Sequence, residues 1–219
     1  MFFTKIIYHF KEKVKTKSNF SLKHTSKSVI DFLLNICYYI KRTKLRQDKS
    51  MNKAVIIING AGGVGKDTIC DLAAKHFKVR NISSVDPIKE IATFCGWTGV
   101  KDDRARKFLH DLKTITAEYN DFPTNWALNV FRQFLQNDEE ILFVHIREPW
   151  EIEKFVKATE GVAKTLLIRG GSRSRAGAYG NAADDMVEDY KYDYYFVNDR
   201  PLDETEEGVK ALFTEILGK

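Results

Sequence analysis

The stretch AVIIINGAGGVGKDT, residues Ala54–Thr68, decides the fold. Its first five residues are apolar and four of them are β-branched, which is typical of a strand buried on both faces in a parallel sheet. Four glycines follow within six residues, and the apolar spacing from Thr68 to Phe77 then predicts a helix. A strand, a glycine-rich loop and a helix in this order form one βα unit.

The glycine-rich stretch Gly60–Lys66 fits the phosphate-binding pattern G-x-x-x-x-G-K. Glycines let successive backbone N–H groups turn toward phosphate oxygens, and the following helix presents the positive end of its dipole. Lys66 adds a mobile charge for the β and γ phosphates, which predicts ATP binding and a catalytic role for this lysine. The alternative is a glycine turn with a solvated lysine. The predicted nucleotide-binding residues are Gly60, Gly62, Gly63, Val64, Gly65, Lys66, Asp67 and Thr68.

Downstream of this loop, strand-like and helix-like segments alternate without an internal repeat. Such alternation predicts an α/β fold with three layers, α/β/α, around a doubly wound parallel sheet. The predicted strands are Ile141–His145, Ala163–Ile168 and Tyr194–Val197. The predicted helices are Ile88–Phe94, Asp102–Glu118, Pro123–Gln136, one from Pro149, one around Ala182–Tyr190 and one from Leu202, and a loop rich in Arg, Gly and Ser covers Arg169–Gly180.

The 219-residue chain divides by charge into a basic N-terminal extension, residues 1–52, and a folded domain, residues 53–219. The extension has a net charge of +9 and the domain −4, so the overall +5 is no evidence for nucleic-acid binding. The apolar patch Val29–Ile40 is too short to cross a membrane. We therefore expect no stable membrane insertion and a poorly ordered leader, with Met51 as a second translation start.

Two other interpretations of the extension stay open, because a basic, serine-containing amphipathic segment is also typical of an organelle transit peptide or a membrane-surface helix. The three cysteines lack C-x-x-C spacing, which favours free thiols in a reducing, cytoplasmic compartment. The sequence does not determine the oligomeric state.

Asp67 stands where the phosphate-binding pattern ordinarily carries the Ser or Thr that binds Mg²⁺. Its carboxylate would hold the ion directly or through water, or only cap the helix. The G-K-x-T form resembles the nucleoside monophosphate kinases. G-K-D-T in particular is similar to phage-type deoxynucleoside monophosphate kinases and animal-type phosphomevalonate kinase. The resemblance implies an acceptor-binding insert at about residues 86–137 and a lid at about 169–180.

The segment Ser84–Ala92 resembles the start of the acceptor-binding region in these kinases. The resemblance implies that Lys89 meets an acceptor phosphate, that Asp86 orients the acceptor or its metal, and that Arg106 grips the acceptor phosphate. Helix capping by Asp86 and solvated charges on the helices are the structural alternatives. Trp126 also matches the family, although a core role suits an aromatic side chain better.

The stretch His145–Glu151 is similar to the D-x-R-x-x-x-E pattern of the deoxynucleoside monophosphate kinases, with histidine in the first position. We expect Arg147, at the carboxyl end of a strand, to bind phosphate both in catalysis and in substrate binding. Since His145 replaces a carboxylate, the predicted metal ligands are Asp67 and Asp86, completed by water. His145 itself is more typical of a partnered histidine near the core.

The loop after the fourth strand carries Arg169, Arg173 and Arg175, and it matches the lid of the kinases that this sequence resembles. Phosphoryl transfer needs positive charge around the moving group and exclusion of water, so Arg173 and Arg175 are predicted catalytic residues. A basic surface loop is the alternative. Asn198, which ends the last strand, is implied by the resemblance to lie near the adenine side, and a strand-terminating turn is its alternative.

Together these features predict a phosphotransferase that moves the γ-phosphoryl group of ATP, with Mg²⁺, to a small phosphorylated acceptor. A (deoxy)nucleoside monophosphate is the leading candidate. The rivals are a kinase of another phospho-metabolite, such as phosphomevalonate, and a non-catalytic nucleotide-binding module.

Overall fold

The computed structural model describes residues 52–100, 102–170 and 187–219. The strands are β1 (Ala54–Asn59), β2 (Val79–Ser83), β3 (Ile141–His145), β4 (Lys164–Gly170) and β5 (Tyr194–Asn198). The helices are α1 (Lys66–Ala74), α2 (Asp86–Phe94), α3 (Asp103–Asn120), α4 (Phe122–Phe134), α5 (Pro149–Ala158) and α6 (Leu202–Leu217), with a 3₁₀ turn at Val187–Asp189. All five strands are parallel, and their order in the sheet is β2-β3-β1-β4-β5.

The central strand β1 is buried along its whole length. It pairs with β3 on one side, where Ala54 faces Ile141, and with β4 on the other, where Ile56 faces Lys164. Such a strand meets helices above and below the sheet, so both of its faces are apolar. The strand predicted from the run of β-branched residues is confirmed.

Alternate residues of β1 belong to two separate cores. Ile56 and Ile58 pack with α1 and α6, whereas Val55 and Ile57 pack with α4 and α5. Trp126 of α4 is a partly buried member of the second core, in agreement with the core role favoured for it. Helices therefore cover both faces of the sheet, and the predicted three-layer α/β/α fold with a doubly wound parallel sheet is confirmed.

One predicted boundary near the end of the chain is wrong. β4 extends through Gly170, because Arg169 and Gly170 continue the pairing with β5, so the predicted loop and lid do not begin at Arg169. Arg169 instead binds Glu188 through two hydrogen bonds and lies over the ring of Tyr195. The helix predicted around Ala182–Tyr190 is a short 3₁₀ turn in its described part.

Several predictions concern residues outside the described ranges. They are the N-terminal extension, Arg173, Arg175 and the remainder of the predicted lid, so the division at residue 52 stays a prediction.

Cys70 and Cys95 are free thiols. No helix in the described part of the chain is long and apolar enough to span a membrane.

Replacing Phe213 by alanine should lower the free energy of unfolding by about 3–5 kcal/mol, because a fully buried aromatic side chain leaves a cavity when it is removed. Phe213 is inaccessible to solvent and makes edge-to-face contacts with Phe77 and Phe143. Urea unfolding measures the loss. Phe94→Ala is the matched control, because Phe94 is 94% exposed, and it should change stability by less than about 0.5 kcal/mol. Equal losses in the two variants would contradict this account of the core.

Candidate phosphate-binding site

Three of the predicted site segments, and Asn198, lie at the carboxyl edge of the sheet, where parallel strands leave a crevice for ligands. The glycine-rich loop follows β1, the segment that leads to Asp86 follows β2, and Arg147 follows β3. Asn198 closes β5 at the same edge. This convergence arises from the parallel pairing, since residues far apart in the chain share one edge.

The glycine-rich loop has a conformation that requires glycine at three positions. Gly60, Gly63 and Gly65 have φ angles of 149°, 80° and 91°, which L side chains rarely adopt. A Cβ on Gly60 would lie 2.4 Å from the carbonyl oxygen of Ile168, and one on Gly65 would lie 2.4 Å from Asn198 Nδ2. The loop is therefore packed tightly between its own backbone and the ends of β4 and β5.

Lys66 is the first residue of α1 and folds back over the loop. Its Nζ donates hydrogen bonds to the carbonyl oxygens of Gly60 and Ala61. Gly65 is the N-cap of α1, and no side chain of the described residues caps this helix. The positive end of the helix dipole therefore faces the loop without a side-chain cap, as the phosphate-binding pattern predicts.

Asp67 and Thr68 are both exposed in the first turn of α1. The side chain of Asp67 is 91% exposed, and its Oδ1 lies 4.0 Å from Nε2 of His145. Mg²⁺ in phosphate-transfer sites is ordinarily held by one or two carboxylates together with phosphate oxygens and water. An exposed carboxylate beside the loop fits that donor set, although the described residues contain no preformed cluster of three acidic, His or Cys ligands.

His145 lies within electrostatic reach of several charged residues of the predicted site. Burial lowers the pKa of its imidazole, while the charges of Asp67, Lys66, Asp86 and Arg147 also act on it. Each of these four charged groups therefore lies close enough to His145 to influence its charge. Nε2 lies 2.9 Å from the Asn81 side-chain oxygen, and 3.7 Å from the sulfur of Cys70, so the interpretation as a partnered histidine agrees with the structure.

Asp86 and Lys89 are bound to each other at the start of α2. Asp86 Oδ1 accepts a hydrogen bond from Lys89 Nζ at 2.8 Å, and Oδ2 accepts one from the backbone N–H of Ser83 at 2.7 Å. Both oxygens of this predicted metal ligand are thus engaged in the turn that begins the helix. Arg106 lies elsewhere on α3, where its side chain is 59% exposed and 3.9 Å from Asp103.

Three further residues join helix α3 to the start of α5. Lys113 of α3 donates hydrogen bonds to Glu148 at 3.1 Å and to Glu151 at 2.8 Å. Burial raises the pKa of Glu151 to about 7, and the neighbouring Glu148 adds to the rise. These three residues line a cavity of about 440 Å³, and Trp150 also lines it. The sequence carried no signal for these hydrogen bonds, because Lys113 and the two glutamates lie in different segments, 35 and 38 positions apart along the chain.

Two asparagines at strand ends hold the loop. Asn198 Nδ2 donates a hydrogen bond to the carbonyl oxygen of Val64 at 2.9 Å, so this residue braces the phosphate loop instead of only ending a strand. Asn59, the last residue of β1, is fully buried and its Oδ1 accepts a hydrogen bond from the N–H of Gly60. A polar residue at the end of an apolar strand was the available signal, because a buried amide must find partners.

No protein-family model matches the sequence, and no curated protein matches it. Solved structures with a similar fold include a tunicamycin resistance protein from Deinococcus radiodurans, which is 12% identical with a TM-score of 0.47 and covers 73% of this chain and 95% of its own. Shikimate kinase from Bacteroides thetaiotaomicron is 16% identical, with a TM-score of 0.42 and coverage of 76% and 99%. A gluconokinase from Sinorhizobium meliloti is 11% identical, with a TM-score of 0.40 and coverage of 77% and 95%. These likenesses are too distant to indicate an acceptor.

Replacing Gly65 by alanine should disrupt the phosphate loop, because the new Cβ would overlap Asn198 Nδ2. The matched control is Gly99→Ala, since Gly99 has a φ of 90° but no atom within 4 Å of the added Cβ. Both variants bear the backbone cost of about 1–2 kcal/mol for a left-handed alanine. Only Gly65→Ala should also weaken ATP binding, by at least about tenfold, in calorimetric titration. Equal ATP affinities in the two variants would contradict the close contact with Asn198.

The buried imidazole of His145 should make stability depend on pH. Burial lowers its pKa in the folded state, so the unfolded chain takes up the proton first as the pH falls through 6.5. Stability attributed to this group is present above that pH and falls below it, until the pH reaches the lowered folded-state pKa. Urea unfolding between pH 8 and pH 5 should therefore show a shallower decline for His145→Asn than for the unchanged protein. Parallel pH curves would rule out this assignment.

Proposed function

We propose that this protein is an ATP-dependent phosphotransferase that acts on a small phosphorylated acceptor, with a (deoxy)nucleoside monophosphate as the leading candidate. The observation that carries the proposal is the loop Gly60–Gly65 at the uncapped start of α1. Its glycines adopt positive φ angles, the backbone conformation with which glycine-rich loops turn N–H groups toward an anion, and the helix dipole would add to the attraction. Lys66 begins the same helix.

Lys66 is the residue that would move when nucleotide binds. Its Nζ donates to two neutral carbonyl oxygens, from Gly60 and Ala61, and a phosphate oxygen is a stronger acceptor because it is charged. The ammonium group would then contact the β and γ phosphates, and the backbone N–H groups of Gly62 to Thr68 would donate hydrogen bonds to them. Mg²⁺, when bound beside Asp67, would neutralise further phosphate charge.

Arg147 would act on the transferred group or on the acceptor phosphate. It follows β3 at the carboxyl edge and its charge acts on His145, whose imidazole is in turn 4.0 Å from Asp67. In the transfer, the bond from the γ phosphorus to the bridging β oxygen breaks and a new bond forms to an acceptor oxygen. A phosphate acceptor is already ionised, so no side chain has to remove a proton.

The acceptor side supports the proposal less directly. Asp86 and Lys89 satisfy each other, so an acceptor phosphate would have to draw Lys89 away from its carboxylate partner. Arg106 would have to reach the acceptor from an exposed face of α3. Arg173 and Arg175, which lie outside the described residues, remain proposed contributors of positive charge during transfer.

The second candidate is a nucleotide-binding module without transfer activity. It is favoured by His145, which replaces a carboxylate and whose Nε2 lies within hydrogen-bond distance of the Asn81 side-chain oxygen. A phosphomevalonate-type acceptor is the alternative within the kinase class. Both differ from the leading proposal in what they predict for acceptor-dependent turnover.

A coupled-enzyme assay with ATP and Mg²⁺ over a panel of nucleoside monophosphates and other phosphorylated metabolites tests the proposal. We expect acceptor-dependent ADP formation with at least one (deoxy)nucleoside monophosphate. Lys66→Ala should lower turnover by at least about 100-fold, because it removes a charge aimed at the developing phosphate charge. Lys75→Ala is the matched control, since Lys75 is an exposed lysine bound to Glu206, and it should retain activity.

The outcomes separate the candidates. Turnover with phosphomevalonate alone would replace the leading acceptor, and ATP binding without turnover on any acceptor would identify the non-catalytic module. Full turnover by Lys66→Ala would refute the role assigned to that lysine.

A further inference from the structure

The buried side chain of Asn59 connects three parts of the candidate site. It closes β1, is inaccessible to solvent, and is among the few buried polar residues of the described chain. A buried amide without partners is costly, so each of its hydrogen bonds restrains the group at the other end. The partners of Asn59 are therefore the groups whose positions it determines.

The amide of Asn59 is fully used. Its Oδ1 accepts a hydrogen bond from the N–H of Gly60 at 2.8 Å. Its Nδ2 donates one to the carbonyl oxygen of Arg147 at 3.0 Å and one to the hydroxyl of Tyr192 at 2.8 Å. This orientation is fixed chemically, because a flipped amide would place its NH₂ against the Gly60 N–H and its oxygen against the Arg147 carbonyl.

Tyr192 extends the network to the 3₁₀ turn. Its hydroxyl accepts from Asn59 and donates to the carbonyl oxygen of Val187 at 3.0 Å. Burial raises the pKa of Tyr192 to about 12, so the hydroxyl keeps its proton and continues to donate. One side chain thus joins the first residue of the phosphate loop, the backbone of Arg147, and the turn that precedes β5.

We propose that Asn59 is a positioning residue, which holds the Arg147 backbone in a fixed relation to the phosphate loop and, through Tyr192, to the Val187 turn. The inference rests on the proposed phosphotransferase function. Asn59 does not contact the substrate itself. Its effect is to keep the Arg147 backbone from moving independently of the loop that holds the nucleotide, since small displacements of a charged group reduce transfer strongly.

The test compares Asn59→Ala with Thr165→Val. Thr165 is also a buried polar residue, and its hydroxyl exchanges hydrogen bonds with Asp193, but it lies near the start of β4, at the opposite edge of the sheet. We expect both variants to lose stability in urea unfolding. Only Asn59→Ala should lower kcat, by at least about tenfold, and raise the KM for ATP, whereas Thr165→Val should stay within about twofold.

Tyr192→Phe provides a finer comparison. It removes the hydroxyl that links Asn59 to Val187 but keeps the contacts of Asn59 with Gly60 and Arg147, so its loss of kcat should be smaller. The double variant should be no worse than Asn59→Ala alone, because the tyrosine acts through the asparagine. Fully additive losses would overturn the network.

Amide hydrogen exchange gives a readout that stability alone would not change. In the unchanged protein, ATP with Mg²⁺ should slow exchange both in the loop and at residues 146–148. In Asn59→Ala at saturating ATP the protection should remain in the loop and disappear at residues 146–148. Protection at both places in this variant, or kinetics equal to those of Thr165→Val, would overturn the inference while leaving the proposed function intact. Absence of ATP binding by the unchanged protein would refute the proposed function itself.

Discussion

Burial of β1 on both faces is the constraint on which the rest of the structure depends. A strand that is apolar above and below must lie in the middle of the sheet with helices on either side, and here it lies between β3 and β4. The chain can leave this strand only at the carboxyl edge, so the glycine loop emerges at the centre of the crevice. Every neighbouring strand then brings its own end to the same place, and the polar residues of the site are drawn together by sheet pairing.

The site is held by hydrogen bonds that cross between strand ends. Asn59 ties the loop to Arg147, and Asn198 ties it to β5. These amides accept and donate without carrying charge, so they fix backbone positions without competing with Lys66 for phosphate. The charged groups are arranged differently. Lys66 and Lys89 donate hydrogen bonds to oxygen atoms of the protein, and a bound phosphate would replace those oxygens as the acceptor. A rigid backbone cradle with exchangeable charged contacts suits binding and release of a nucleotide.

The helices α2 and α3, where the acceptor region is proposed, are less buried than the strands of the sheet. None of the eighteen residues of α3, all of them described, is buried, and Phe94 at the end of α2 is largely exposed. Helix α3 is linked to α5 by Lys113, whose largely buried ammonium group pairs with Glu148 and Glu151. Elements with few buried contacts open at lower free energy than a core strand. Helix α3 is therefore expected to open at a lower free energy than the central strands.

The sequence alone determined the strand Ile141–His145, the phosphate loop and the three-layer class, because strand burial, glycine conformation and helix periodicity are local properties that a run of residue types expresses. It also placed Arg147 correctly at a strand end. Only the tertiary structure decided that Asn198 braces Val64, that Asp86 is paired with Lys89, and that Asn59 reaches both Arg147 and Tyr192. Most of these contacts join residues more than eighty positions apart, and the Asp86 pairing depends on rotamer choice. The geometry of the contacts between strand ends follows from the strand order and the register of the sheet. Neither the order nor the register can be read from residue spacing along the chain.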